Sequence, residues 1–364
     1  MASLKTKIVG AGSIGNHLAN AARQLGWDVV LCDVDPEALA RTREEIHPQR
    51  YGAWDESIDL QLAGDVGWHG YDLIAIGTPP DSHVPLALEA LEGKPRAILV
   101  EKPLCGPDLA DAELLRERAA AQGVAVFVGY DHVVGEAART AAEVAARLTP
   151  LTLDVEFREH WAGIFAAHPW LDGPADPYLG YWRRGGGASG EHSHAINLWQ
   201  HLAHCVGAGD VERVSASLDY VRQGPAEYDR LCALQLTTRE GLVGRVVQDV
   251  VTRPPRKWAR VQGEQGFVEV GIGALPGRDR VSWQVGDDAP GERTIEKTRP
   301  DDFIAELRHI EASLPDAQAA SPIRLARGLD TMLVVAAAHR SAALGRSIRI
   351  DRSRGCTPEA LRSD

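Results

Sequence analysis

Gly10-Ala11-Gly12-Ser13-Ile14-Gly15 decides the fold, because of what stands on either side of it. Before it, Lys7-Ile8-Val9 reads as a short apolar strand; after it, Ile14, Leu18, Ala21 and Leu25 recur at helical spacing. In a G-x-G-x-x-G run between a strand and a helix each glycine has a task. Gly10 permits the tight turn, Gly12 lets backbone approach a pyrophosphate, and Gly15 lets the helix pack closely on the strand. Phosphates there meet free N–H groups at the positive end of the helix, and Ser13 and Ile14 open that helix. The next strand, 28–33, ends in Asp33, at about the 20-residue distance expected for an acid that binds the adenosine ribose. Such a carboxylate accepts from both ribose hydroxyls and repels a 2′-phosphate. The following Val34, Asp35 and Pro36 supply no arginine to rescue one, so NAD is the expected cofactor and NADP is disfavoured. Asp35, one residue before Pro36, suits a helix cap.

Working outward, strand and helix patterns alternate. Strands are expected at 73–76, 97–100 and 124–128, and helices near 82–91 and 109–121. Apolar strands alternating with amphipathic helices indicate a doubly wound parallel sheet of α/β class, covered on both faces. The stretch 47–70 has no regular pattern. From Leu151 the character changes: 152–157, 211–221, 233–237, 242–251 and 267–270 read as strands separated by glycine or short polar turns, as antiparallel connections require. A chain of 364 residues exceeds one ordinary core. We expect two domains, a nucleotide-binding unit at 1–130 and an α+β unit at 131–364, with the boundary between 129 and 150.

The net charge of −12, from 39 basic and 51 acidic side chains, argues against nucleic acid and anionic membranes as partners. The cysteines Cys32, Cys105, Cys205, Cys232 and Cys356 are scattered with no C-x-x-C pair, which disfavours a disulfide framework or a thiolate zinc site. No signal-peptide pattern opens the sequence, and no apolar run approaches the roughly 20 residues of a membrane helix. A cytoplasmic protein is expected.

Further signatures follow at strand ends: Gly77-Thr78-Pro79-Pro80-Asp81-Ser82-His83, then Glu101-Lys102-Pro103, then Trp182-Arg183-Arg184-Gly185-Gly186-Gly187, then Glu191-His192-Ser193-His194-Ala195-Ile196-Asn197. With the glycine loop, and with a late helix at 325–344, they resemble the Gfo/Idh/MocA family of sugar and polyol oxidoreductases across nearly the whole chain. The resemblance implies an open, mostly antiparallel second sheet whose free face joins a homodimer or homotetramer. It also implies hydride transfer between nicotinamide and a secondary alcohol of a carbohydrate-like small molecule. The same family includes enzymes that oxidise a sugar transiently to ease glycoside cleavage or elimination. It includes non-catalytic nucleotide-binding regulators too, which tend to lose the lysine and histidine present here.

Alcohol oxidation needs a base for the hydroxyl proton, and a base works best when its pKa lies near the operating pH. Lys102 follows a buried parallel strand at its carboxyl end, the side where such sheets bind ligands. On residues alone, Glu101-Lys102 reads more readily as a surface pair; the resemblance makes Lys102 catalytic. His194, on the first turn of the helix after the glycine run, is implied as the second proton-handling group. Thr78, Pro79, His83, Glu101 and Lys102 join the glycine loop as expected cofactor contacts. Tyr130, Trp161, Arg183, Glu191 and Asn197 join Lys102 and His194 as expected substrate contacts. Relatives often carry an Asp at the position of Gly190 or Asn197, so Glu191 is the expected partner of His194. Asp131 stands where an Asn is common. The aromatic segment 160–184 suits the C–H faces of sugars, and Arg253, Arg256 and Lys257 around Pro254-Pro255 read as a solvated turn. His192, His194, His201 and His204 lack an H-E-x-x-H pattern and a third ligand, so no metal is expected.

Overall fold

The computed structural model describes residues 3–166, 168–316 and 319–363. Two sheets organise the chain. The first contains β1 (Lys5–Val9), β2 (Asp28–Asp33), β3 (Ile58–Leu62), β4 (Leu73–Ile76), β5 (Ala97–Val100) and β6 (Ala125–Val128). All its pairings are parallel, in the order β3-β2-β1-β4-β5-β6. That order reverses direction at β1, and ligands of such sheets bind at the carboxyl ends of the strands beside the reversal. Every residue of β4, β5 and β6 is buried, as their unbroken apolar sequences require. The helices α1 (Ser13–Gln24), α2 (Pro36–Arg41), α3 (His47–Tyr51), α4 (His83–Ala90) and α5 (Ala112–Gln122) connect these strands. The Asp35 carboxylate accepts from the Glu37 N–H at 2.9 Å and caps α2.

The helix α6 (Glu136–Ala145) leads to the second sheet. Its strands are β7 (Pro150–Arg158), β8 (Val211–Gln223), β9 (Ala226–Thr238), β10 (Val243–Asp249), β11 (Arg256–Gly263), β12 (Gly266–Leu275), β13 (Arg278–Val285), β14 (Gly291–Glu296), β15 (Ile348–Ile350) and β16 (Leu361–Ser363). They lie in the order β14-β13-β12-β11-β7-β10-β9-β8-β15-β16. Only the β7–β10 pair is parallel, so the sheet is mixed and mostly antiparallel. Five more helices lie among the described residues: α7 (Trp161–Ala166), α8 (Gly187–Glu191), α9 (Ser193–Cys205), α10 (Arg299–Ser313) and α11 (Leu325–Leu344).

Several elements go beyond the expected pattern, α6, β13, β14, β15 and β16 among them, and three further places stand out. The stretch 47–70 contains α3 and the edge strand β3, in which only Ile58 is buried, so no apolar run marks it. The segment around Lys257 is not a solvated turn: β11 pairs with both β7 and β12. α10 went unread, although Thr298 and Asp301 form a reciprocal cap at its start.

α9 and α10 tie the sheets together. The Trp199 indole donates to the Leu153 carbonyl at 2.8 Å, anchoring α9 on β7. α10 returns to the first sheet, where the Phe303 ring stacks on His17 of α1 at 4.8 Å.

Candidate active site

The glycine turn is built by close approach. Gly10 takes φ +104°, and a Cβ at Gly15 would lie 1.9 Å from the Gly10 carbonyl oxygen, so no side chain fits there. A Cβ at Gly12 would meet nothing within 4 Å, leaving the backbone at the start of α1 open to a ligand. Asp33 steadies this turn: its carboxylate accepts from the Ala11 N–H at 2.7 Å and from the Asp35 N–H at 3.0 Å. A carboxylate has about four acceptor sites, so further capacity remains for ribose hydroxyls. An open helix start, close-packed glycines and an acid at the end of β2 fit a dinucleotide.

A cleft of about 360 Å³ runs from this turn to the second sheet. Gly12, Ser13, Ile14, Thr78, Pro79, Glu101, Lys102, Glu191 and His194 all line it. Thus the structure gathers most of the expected site residues into one place. Lys102, just past β5, donates from Nζ to the Glu191 carbonyl at 3.0 Å and to Glu191 Oε2 at 3.2 Å. Burial alone would raise the Glu191 carboxyl; the Lys102 charge in contact with it outweighs this and holds it below the ordinary carboxylate range. The Glu101 carboxyl is pushed up to about 8, by burial first and then by the nearby Asp131 charge. It presses against Gly129, where a Cβ would lie 2.9 Å from its oxygens.

His194 is held well below its ordinary pKa by burial, and then by the neighbouring His132, Lys102 and Lys257, so the ring is neutral near pH 7. Its neighbour is not Glu191. His194 Nδ1 lies 3.7 Å from Asp131 Oδ1, and its ring lies 4.5 Å from that of His132 and 5.5 Å from that of Tyr130. His83 is buried below the cleft, its ring nitrogens facing the carbonyls of Pro103 at 2.9 Å and Thr78 at 2.6 Å. It joins the two loops that carry the expected cofactor contacts and Lys102.

Four expected substrate contacts lie elsewhere. Asn197 points from α9 toward α11, where its amide donates to Thr331 Oγ1 at 3.2 Å. Arg183 pairs with Glu227 at 2.9 Å and covers the Trp182 ring. Trp161 is buried against Phe165 and Tyr228. Tyr130 is fully buried behind His194. Asn197 lies almost a full turn further along α9 than His194, where α9 packs on α11. Asp131, His132, His168, Trp170, Tyr178, Lys257, Arg299 and Phe303 line the cleft in their place. Lys257 is paired with Glu159 at 2.9 Å.

This fold and cleft define a dinucleotide-binding protein. The model of an oxidoreductase family with an NAD-binding Rossmann fold, Gfo/Idh/MocA, matches residues 4–130, the part of the chain that builds the first sheet and the glycine turn. Among solved structures it is similar to an oxidoreductase from Agrobacterium radiobacter in complex with NAD+, L-tartaric acid and magnesium. That likeness has 20% identity and TM-score 0.73, covering 96% of this chain and 98% of the other. It is similar to a levoglucosan dehydrogenase in complex with NADH and levoglucosan, with 18% identity, TM-score 0.76 and coverage of 96% and 99%. It is also similar to the WlbA dehydrogenase from Bordetella pertussis in complex with NADH and UDP-GlcNAcA, with 22% identity, TM-score 0.70 and coverage of 96% and 99%. No curated protein matches the chain. Among the described residues, no helix is long and apolar enough to cross a membrane.

Proposed function

We propose that the protein transfers a hydride between NAD and a secondary alcohol of a sugar, polyol or sugar derivative, with Lys102 and His194 handling the proton. The observation that carries this reading is that Lys102 and His194, from different sheets' connections, line the same cleft as the glycine turn. Bound NAD supplies the hydride acceptor or donor. Gly10, Gly12, Ser13, Ile14 and Gly15 hold its pyrophosphate, Asp33 its adenosine ribose, and Thr78, Pro79 and Glu101 the stretch toward the reacting end.

In the reducing direction the Lys102 ammonium, steadied by Glu191, gives its proton to the carbonyl oxygen. In the oxidising direction the amine takes the hydroxyl proton. The neutral His194 imidazole hydrogen-bonds the same oxygen and exchanges protons with Lys102 or water. Trp170 and Tyr178 offer aromatic faces to the apolar side of a sugar ring. The levoglucosan dehydrogenase with bound levoglucosan and the WlbA dehydrogenase with bound UDP-GlcNAcA, similar in fold, support the substrate class. In the same reading, residues 1–130 form the nucleotide unit, and 131–364 the substrate and oligomerisation unit, pairing copies through the open sheet.

The test is a panel of polyols, sugars, aldonates and uronates, each with NAD, read by absorbance of the reduced cofactor. Reduction with a defined subset is expected. No reduction with any member, and no oxidation of NADH by the corresponding ketones, would remove the dehydrogenase reading.

A further inference from the structure

Beside Lys102 the cleft contains a second group of functional atoms. Asp131 and His132 follow β6, and His194 opens α9. Asp131 Oδ1 lies 3.6 Å from His132 Nδ1 and 3.7 Å from His194 Nδ1, and all three atoms fall within 4.8 Å of one another. Each is buried, and none has a hydrogen-bond partner. Their side chains are 9%, 10% and 13% exposed for Asp131, His132 and His194. Buried polar atoms are almost always paired, and one orphan costs about 1–3 kcal/mol. Three orphans converging on one point therefore indicate a missing partner that accepts lone pairs from all of them. Direct pairing across 3.6 and 3.7 Å is too long for a hydrogen bond.

We propose that Asp131 Oδ1, His132 Nδ1 and His194 Nδ1 bind a divalent transition-metal ion of the zinc class. Two imidazole nitrogens and one carboxylate oxygen form a donor set such ions favour. A tetrahedral ion with bonds of about 2.1 Å separates its ligand atoms by about 3.4 Å, close to the two spacings from Asp131. All three residues line the cleft, so a remaining coordination position is available to water or a substrate oxygen. Lys102, Lys257, Lys297 and Arg299 oppose a cation here, and Glu101, Asp302 and Glu306 act on Asp131 in the opposite sense. The other His–carboxylate cluster among the described residues, His204 with Asp210 and Asp330, differs in kind. There Arg327 and Arg352 already occupy the acidic oxygens.

The site goes beyond the hydride-transfer reading and bears on it at one point. With a metal on Nδ1, His194 keeps its hydrogen on Nε2, so its share of the proton handling proposed above narrows to a hydrogen bond donated to the substrate oxygen, while Lys102 exchanges the proton. The metal also joins the end of β6 to the start of α9, fixing His194 across the cleft.

The experiment uses the full chain with NAD. Metal content is measured by elemental analysis after dialysis against zinc chloride, and binding of cobalt chloride is followed by the visible absorption of Co(II). About one zinc per chain, and a Co(II) spectrum of low-symmetry four- or five-coordination, are expected. Asp131→Asn and His132→Gln should each weaken cobalt binding more than about 10-fold, since even outer contacts to a metal ligand are worth about that much. NAD binding by fluorescence quenching is expected to stay near the wild-type value in both, which shows that the variants fold. Zinc content near zero, or cobalt affinity unchanged in both variants, would overturn the site. Because the readout is metal and not turnover, loss of the metal site and loss of the dehydrogenase reading remain separate results.

Discussion

Lys102 Nζ lies 3.2 Å from Glu191 Oε2, an ion pair made between the loop after β5 and the last residue of α8. Both side chains are largely buried, so the contact is worth more than a surface pair. The same amine is also held by the Glu191 main-chain carbonyl at 3.0 Å. Lys102 is thereby aimed by an element that the sequence places 89 residues later.

The Glu191→Gln variant should keep the carbonyl contact and lose the charged one. A hydrogen bond to a charged group is worth about 1.5–3 kcal/mol, so kcat should fall about 10- to 100-fold with KM for NAD little changed. Steady-state kinetics at saturating NAD checks this. An unchanged kcat would show that Glu191 does not position Lys102 during turnover.

For Asp33→Ala, weaker NAD binding and relaxed discrimination against NADP are expected. One charge-assisted contact sets the scale, about tenfold or more in Kd. The variant also removes the acceptor of the Ala11 N–H, which loosens the glycine turn. Titration of both cofactors by fluorescence decides the matter; an unaltered preference would mean that Asp33 does not contact the ribose.

Gly15→Ala puts a methyl where the Gly10 carbonyl oxygen stands. Overpacking of this kind costs about 1–3 kcal/mol and here moves the turn that receives the phosphates. A lower melting temperature, together with NAD affinity reduced at least tenfold, is expected from thermal unfolding with and without cofactor. A wild-type melting curve would contradict the close approach.

Much of this was legible in the sequence, and the misses have physical reasons. β1, α1 and β2 announce themselves because the apolar run in β2, the Ile8-Val9 end of β1 and the glycines that the turn demands at Gly10 and Gly15 stand in order. β3 is an edge strand with little buried surface, so it left no pattern. The place of Glu101 and Lys102 at the end of a buried strand was legible, but only the family resemblance singled out Lys102 over a surface pair. The contact of Asp131 with His194 joins residues 63 positions apart through tertiary packing, and no local spacing encodes it. Asp131-His132 after β6 and the Thr298/Asp301 cap before Arg299 were the available signals for the rest of the cleft.

Asp229 gives a pH prediction. Burial raises its carboxyl from 3.8 to about 7, while Ser189 donates to it from N–H at 2.8 Å and from Oγ at 3.1 Å and lowers it in part. The folded state therefore holds a proton between about pH 4 and 7 that the unfolded state has lost. Asp229 thus contributes stability below pH 4, and that contribution is lost as pH rises to 7, then stays constant. Asp229→Asn mimics the protonated acid, so its stability relative to wild type should rise across that window, by on the order of a few kcal/mol. Urea unfolding at pH 4.5 and 8 measures it. A difference between the two proteins that does not grow with pH would show that Asp229 is ionised in the fold.

The central claim is that the amine past β5 carries the proton in a cleft that also binds NAD. Lys102→Ala, assayed with the best alcohol substrate alongside NAD binding by fluorescence, tests it most directly. Turnover reduced by about 100-fold to 10,000-fold, the range of a lost general acid–base group, with NAD affinity near wild type, is the predicted result. Activity close to wild type in that variant would contradict the account.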